Sequence, residues 1–230
     1  MSEKKKKLIW AAAFAAVFAL ALFVRVYRIG ELPYGWNVDE AGMAYDVYSL
    51  IQYGTDRYYK FNPVYFINFG GGQSVLYGYT CAVFMKLFGL SLTVARIPAV
   101  LSGMAVWLFG TLILREYFSK KFTVIGSFLI AVMPCFIMQS RIGLDCLLFL
   151  GVSTMAVYFW LLAIRKESWY LYALTGIILG LSLYTYALSY LAVPIFLLCM
   201  IFYLLYLGKM KWKYLFSMGI PLAVLASPLI

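Results

Sequence analysis

The residues best placed to do chemistry are Asp39 and Glu40, in the stretch Trp36-Asn37-Val38-Asp39-Glu40-Ala41-Gly42. Two adjacent carboxylates can take a proton from a hydroxyl, orient it, or bind a hard cation. Three more ionisable residues lie beside long apolar segments: Arg96, Arg141 and Asp145. An arginine at a membrane boundary carries the planar fork that grips phosphate oxygens in pairs. The chain contains no histidine. A histidine general base, a Ser-His-Asp triad and a histidine metal site are therefore excluded within it, and acid–base work falls to carboxylates, Lys or Tyr. Each candidate also has a plain structural reading. Acidic residues in a first helical turn complement the helix dipole, which covers Asp39, Glu40 and Asp145. Arg141 can pair with Asp145 four residues on, and Arg96 can snorkel from the end of a span. Against this stands the setting, since an ionisable group at the lipid boundary is costly to desolvate and is a functional candidate by default.

The elements that must position these residues are membrane helices. Hydrophobic residues make up 65% of the chain and charged residues 12%, where a soluble domain carries about a quarter charged. The mean hydropathy is +0.89. The net charge of +10 does not point to nucleic acid, because the basic residues punctuate apolar segments and form no single face. Cys81, Cys135, Cys146 and Cys199 have no paired spacing and read as free thiols.

Lys4 to Lys7 precede an apolar run over residues 8–24. Ala19-Leu20-Ala21 offers a small-residue cleavage site, but the run continues past it, so the segment reads as an uncleaved first span with a cytoplasmic N-terminus. A polar stretch follows. Pro33 and Gly35 mark a turn, Asn37 is an N-cap, and Glu40 completes a capping box. Ala41, Ala44, Tyr45, Tyr48 and Ile51 then recur at helical spacing up to Gly54. This predicts an amphipathic surface helix of about four turns. Asp46 shares a face with Asp39 and reads as solvated. Residues 55–73 read as loop, with Gly70-Gly71-Gly72 as a hinge; no strand and no Lys-Ser/Thr accompany the glycines as a nucleotide loop requires.

Further spans are predicted over residues 92–114, 122–138, 147–164, 169–186, 191–207 and 214–230. Residues 74–88 are apolar but short for a core of ~30 Å. If they do not cross, Arg115, Lys120, Lys121, Arg165, Lys166, Lys209, Lys211 and Lys213 all fall on the side of Lys4 to Lys7. If they cross, most of these basic residues face out, against the positive-inside bias. Residues 74–88 are therefore expected as an interfacial or re-entrant helix. The expected architecture is all-α: one transmembrane bundle over residues 1–230 with about 7 spans, and surface helices in a first outer loop at about 25–91. Asp39, Glu40, Arg96, Arg141 and Asp145 then share the outer side. Tyr184, Tyr186 and Tyr190 crowd an outer helix end, as an aromatic belt or a sugar-stacking platform. Residues 221–230 are apolar with no polar flank, which suggests a fragment of a longer chain.

Taken in order, Arg25-Val26-Tyr27-Arg28, Pro33, Asp39-Glu40-Ala41, Leu87-Phe88-Gly89-Leu90-Ser91 with Arg96, and Ser140-Arg141 with Asp145 form a familiar set. It resembles the GT-C superfamily of polytopic membrane glycosyltransferases, nearest to the protein mannosyltransferases and the lipid A aminoarabinose transferase. The resemblance covers residues 25–150. It implies an outer loop carrying a catalytic Asp, which maps on Asp39, an interfacial helix before the second span, and a polyprenyl-phosphate-linked sugar as donor. Asn68-Phe69-Gly70-Gly71-Gly72 stands where family members often carry a basic or Pro-rich motif. The expected enzyme is an inverting glycosyltransferase of the cell (plasma) membrane, acting on its outer face. Asp39 is the general base, Arg96 and Arg141 hold the phosphate, and Glu40 and Asp145 orient the acceptor or a divalent cation. Use of Mg²⁺ or Mn²⁺ is left open, as is the acceptor: protein, lipid or glycan. Membrane lipid is an expected partner and nucleic acid is not. A transporter or flippase of a lipid-linked or anionic solute is the runner-up, but it calls for ionisable residues at mid-span, where this chain has almost none. A non-catalytic membrane scaffold is the third reading.

Overall fold

The computed structural model describes residues 2–68 and 71–229. The first helix, α1 (Glu3–Val26), starts at Ser2, whose side chain accepts from Lys5 N. The second, α2 (Val38–Tyr53), has the expected caps. Asn37 and Glu40 form the capping box, and Gly54 ends the helix in the left-handed conformation at φ 73°, which a glycine adopts without a Cβ clash.

Residues 55–73 are not simply loop. Tyr65–Asn68 (β1) pairs antiparallel with Gly71–Ser74 (β2), in the register Tyr65 to Ser74 and Asn68 to Gly71. Gly71 and Gly72 are therefore strand residues rather than hinge, while Gly70 lies outside the described residues. The hairpin leads directly into α3 (Val75–Phe88). Its 14 residues span about 21 Å at 1.5 Å each, too short to cross a bilayer upright. It packs against α2 and against α4 (Leu92–Tyr117).

The seven segments expected as spans are all helical. They are α1, α4, α5 (Lys120–Val132) with α6 (Pro134–Gln139), α7 (Asp145–Lys166), α8 (Trp169–Ser182), α9 (Ser189–Tyr206) and α10 (Trp212–Ala226). Of these, α1, α4, α7 and α9 are long and apolar enough to cross a membrane. The segment expected as one span over 122–138 is broken. Pro134 has no N–H for the carbonyl of Ile130, and its ring forces Met133 out of the helix to ψ 119°. The carbonyls freed by the break are taken up by Arg25, which is fully buried: Nη1 donates to Ala131 O at 3.2 Å and Nη2 to Ile130 O at 3.5 Å. One arginine at the end of α1 thus closes the end of α5.

Three apolar cores hold the helices. One joins α1, α4 and α5 around Trp107, whose indole N–H donates to Ser127 O at 3.1 Å. Another joins α2, the hairpin, α3 and α4 around Phe66 and Tyr77. The third fills the space among α7 to α10 around Trp160, Tyr172 and Met218.

Candidate active site

Glu40 is at the centre of the site but not at its surface. It is 2% exposed and Arg96 is 1% exposed. The Arg96 guanidinium faces the carboxylate fork to fork, with Nε to Oε1 at 2.8 Å and Nη2 to Oε2 at 3.0 Å. Asn37 N donates to Glu40 Oε2 at 2.9 Å, and Gly143 N donates to Oε1. The remaining Arg96 protons go to Ile29 O at 2.8 Å, Pro33 O at 3.0 Å and Gly35 O at 2.9 Å. All five guanidinium N–H groups are thereby used within the protein. Arg96 cannot be the direct phosphate ligand expected from its position, nor can Glu40 reach an acceptor. The pair instead ties α2, α4, the 29–35 turn and the 143 loop into one block.

Arg141 has a similar position. Nη1 donates to Val24 O at 2.9 Å and Arg25 O at 3.4 Å, and Nη2 to Tyr27 O at 2.6 Å and Leu32 O at 3.0 Å. It satisfies the C-terminal carbonyls of α1, which have no partner within the helix. Burial lowers the pKa of this guanidinium, and the charge of Arg96 adds to the effect. No ion pair joins Arg141 to Asp145 among the described residues. Asp46 is not solvated either. It is buried and binds Arg57 through Nε at 2.9 Å and Nη2 at 2.7 Å. That carboxylate hydrogen bond raises the pKa of Arg57.

Asp39 is exposed at the first turn of α2. Its Oδ1 accepts from Asn68 Nδ2 at 3.2 Å, and Oδ2 has no protein donor among the described residues. Asp145, at the start of α7, is 9% exposed, and its Oδ2 accepts from Ser74 N at 3.3 Å. The hairpin thus touches both carboxylates, one at each strand. Sequence reasoning missed Asn68 and Gln73 because it read residues 55–73 as loop, and Ser74 because it read it as the head of an apolar helix. The signal was there: Tyr65-Phe66-Ile67 is an aromatic and β-branched run closed by glycines, which is a strand pattern. Two carboxylates do not make a cation site, and no group of three His, Cys, Asp or Glu among the described residues could hold a metal ion.

Tyr184 is tied inward, its hydroxyl donating to Leu225 O at 2.7 Å, while Tyr186 and Tyr190 are exposed. Leu76 N donates to Tyr184 O at 3.0 Å, which fixes the start of α3 to the end of α8. A separate cavity of about 590 Å³ lies among α7, α8 and α9, lined by apolar groups that include Phe149, Val157, Leu179 and Phe196. None of the five candidate residues borders it.

A bundle of apolar helices, four of them long enough to cross a membrane, defines a polytopic membrane protein. Its fold matches that of ArnT from Cupriavidus metallidurans bound to undecaprenyl phosphate, with a TM-score of 0.66 and 16% identity. That match takes in 99% of this chain and 41% of ArnT, so the chain spans less than half of the length of that protein. The family model for dolichyl-phosphate-mannose-protein mannosyltransferase matches residues 73–230. The chain belongs to that family, within the GT-C superfamily of membrane glycosyltransferases. Arg96, Arg141 and Asp145 lie inside the matched region, and Asp39 and Glu40 precede it. Among curated proteins nothing matches the chain.

Proposed function

We propose that the protein transfers a sugar from a polyprenyl-phosphate donor to an acceptor hydroxyl at the outer membrane face, with inversion at the anomeric carbon. The observation that carries this reading is the Oδ2 of Asp39, which has no protein donor among the described residues, on a carboxylate whose other oxygen is held by Asn68. That oxygen takes the hydroxyl proton as the acceptor oxygen bonds to the anomeric carbon. The bond from that carbon to the phosphate oxygen breaks, and polyprenyl phosphate leaves as a stabilised anion that needs no strong acid. Inversion requires only this one base, opposite the leaving group. Asp145, at the other strand of the hairpin, orients the acceptor.

Arg96 and Arg141 serve the reaction from beneath. All five N–H groups of Arg96 are engaged, as are both terminal nitrogens of Arg141, so they act on the donor phosphate chiefly through their fields. With Arg25 they place three guanidinium groups in the buried layer, which also holds Glu40, Asp46, Asp56 and Asp145. Of the three, only Arg96 has a carboxylate partner among the described residues, and the unpaired charges of Arg25 and Arg141 favour an anion above them. The apolar cavity among α7 to α9 has the chemistry to receive hydrocarbon chains of membrane or donor lipid. Support for the donor class comes from family membership and from the ArnT fold, whose structure holds undecaprenyl phosphate.

The test is the stereochemistry of the product. The full native protein in proteoliposomes is given undecaprenyl-phosphate sugars of known anomeric configuration, and the product linkage is read by NMR. An inverted linkage is expected. A retained linkage, or no transfer with any donor, refutes the proposal.

A further inference from the structure

Gly42 sits inside α2, where a glycine costs about 1 kcal/mol relative to alanine. The structure gives a reason. A Cβ there would stand 2.8 Å from Asn68 Oδ1, 3.1 Å from Asn68 Nδ2 and 3.1 Å from Arg57 Nη2. The Asn68 amide lies directly over the helix backbone, in space that any side chain would fill.

That amide is held from two sides. Nδ2 donates to Asp39 Oδ1 at 3.2 Å and to Gln73 Oε1 at 3.3 Å, so both of its protons are directed. The orientation is fixed by chemistry, because a carboxylate only accepts and the reverse amide would set oxygen against oxygen. Asn68 is 9% exposed, and its Oδ1 is buried with no partner among the described residues. The amide is turned so that its N–H rather than its carbonyl meets Asp39.

We propose that Asn68 is a positioning residue for the transfer reaction, clamping Asp39 so that Oδ2 faces the acceptor, and that Gly42 is the gap in α2 that admits the clamp. This rests on Asp39 being the base. Asn68 touches no reacting atom. It fixes the rotamer of the group that does, and a loosened base loses rate rather than donor affinity.

The test uses the full native protein in proteoliposomes with a panel of undecaprenyl-phosphate sugars, measuring release of undecaprenyl phosphate. Asn68→Ala is expected to lower kcat about 10- to 100-fold, with the donor KM within about twofold of wild type. Gly42→Ala, which keeps Asn68 but displaces it, is expected to lower kcat in the same sense. In an Asp39→Asn background, Asn68→Ala is expected to add nothing, because the two act as one unit. Wild-type kcat in both Asn68→Ala and Gly42→Ala, with Asp39→Asn inactive, overturns the positioning role and leaves the base reading intact. So does a full additional loss from Asn68→Ala in the Asp39→Asn background. Wild-type kcat in Asp39→Asn, or no release by wild-type protein from any donor, removes the base or the enzyme reading and this inference with it. Melting temperatures of each variant separate loss of fold from loss of rate.

Discussion

Replacing Glu40 by Ala leaves the Arg96 guanidinium charged, buried and without its counter-ion. The carboxylate accepts from Arg96 Nε at 2.8 Å, Arg96 Nη2 at 3.0 Å, Asn37 N at 2.9 Å and Gly143 N. Both side chains are essentially inaccessible, at 0% and 1%. Breaking a buried pair by removing one partner costs about 3–5 kcal/mol. For a chain of this size 1 kcal/mol corresponds to roughly 2–4 °C, so the melting temperature in detergent should fall by roughly 6–20 °C. Arg96→Ala should fall in the same range, since it strands the carboxylate and three backbone carbonyls. Removing both partners together should cost clearly less than the sum of the single losses. Arg96→Lys keeps the charge but not the fork, and should not restore the wild-type value. The assay is thermal unfolding of the four variants in one detergent. A Glu40→Ala melting temperature within about 2 °C of wild type, or strictly additive single and double losses, would refute the reasoning.

Arg25→Met should destabilise by about 1–3 kcal/mol by stranding the carbonyls at the Pro134 break. Pro134→Ala should suppress part of that loss by returning an N–H to Ile130 O, as read by melting temperature in the two backgrounds. In a protein freed of its four cysteines, a cysteine at exposed position 59 should label with an impermeant maleimide from outside, and one at position 119 only from inside. Labelling of both from one side contradicts the arrangement in which α3 stays at the interface. Asp145→Asn should lower turnover with a raised acceptor KM and an unchanged donor KM, since Asp145 is assigned to the acceptor.

What was legible in the sequence was local. The ends of α2 were readable because Asn37, Glu40 and Gly54 each signal a cap through their own backbone chemistry. The helices were readable because lipid permits long apolar runs, and the charges between them set their limits. The short α3 was readable from its length. The break at Pro134 carried a local signal that an unbroken apolar run obscured. The partners of Arg25, Arg96 and Arg141 were not readable, since each binds carbonyls of segments that only the tertiary fold brings near. A guanidinium suits phosphate and carbonyl oxygens alike, so residue type could not distinguish a ligand from a cap. Asp46 was misread for a related reason. Its helical phase was right, but Arg57 comes from the following loop and buries it. The role of Asn68 depended on a hairpin whose glycines resembled a hinge.

The most direct test is the turnover of Asp39→Asn beside wild type, as release of undecaprenyl phosphate from undecaprenyl-phosphate sugars in proteoliposomes, with equal folded protein confirmed by melting temperature. Loss of the base should lower kcat about 10²- to 10⁴-fold while the donor KM holds. Wild-type turnover in a folded Asp39→Asn protein would contradict the account.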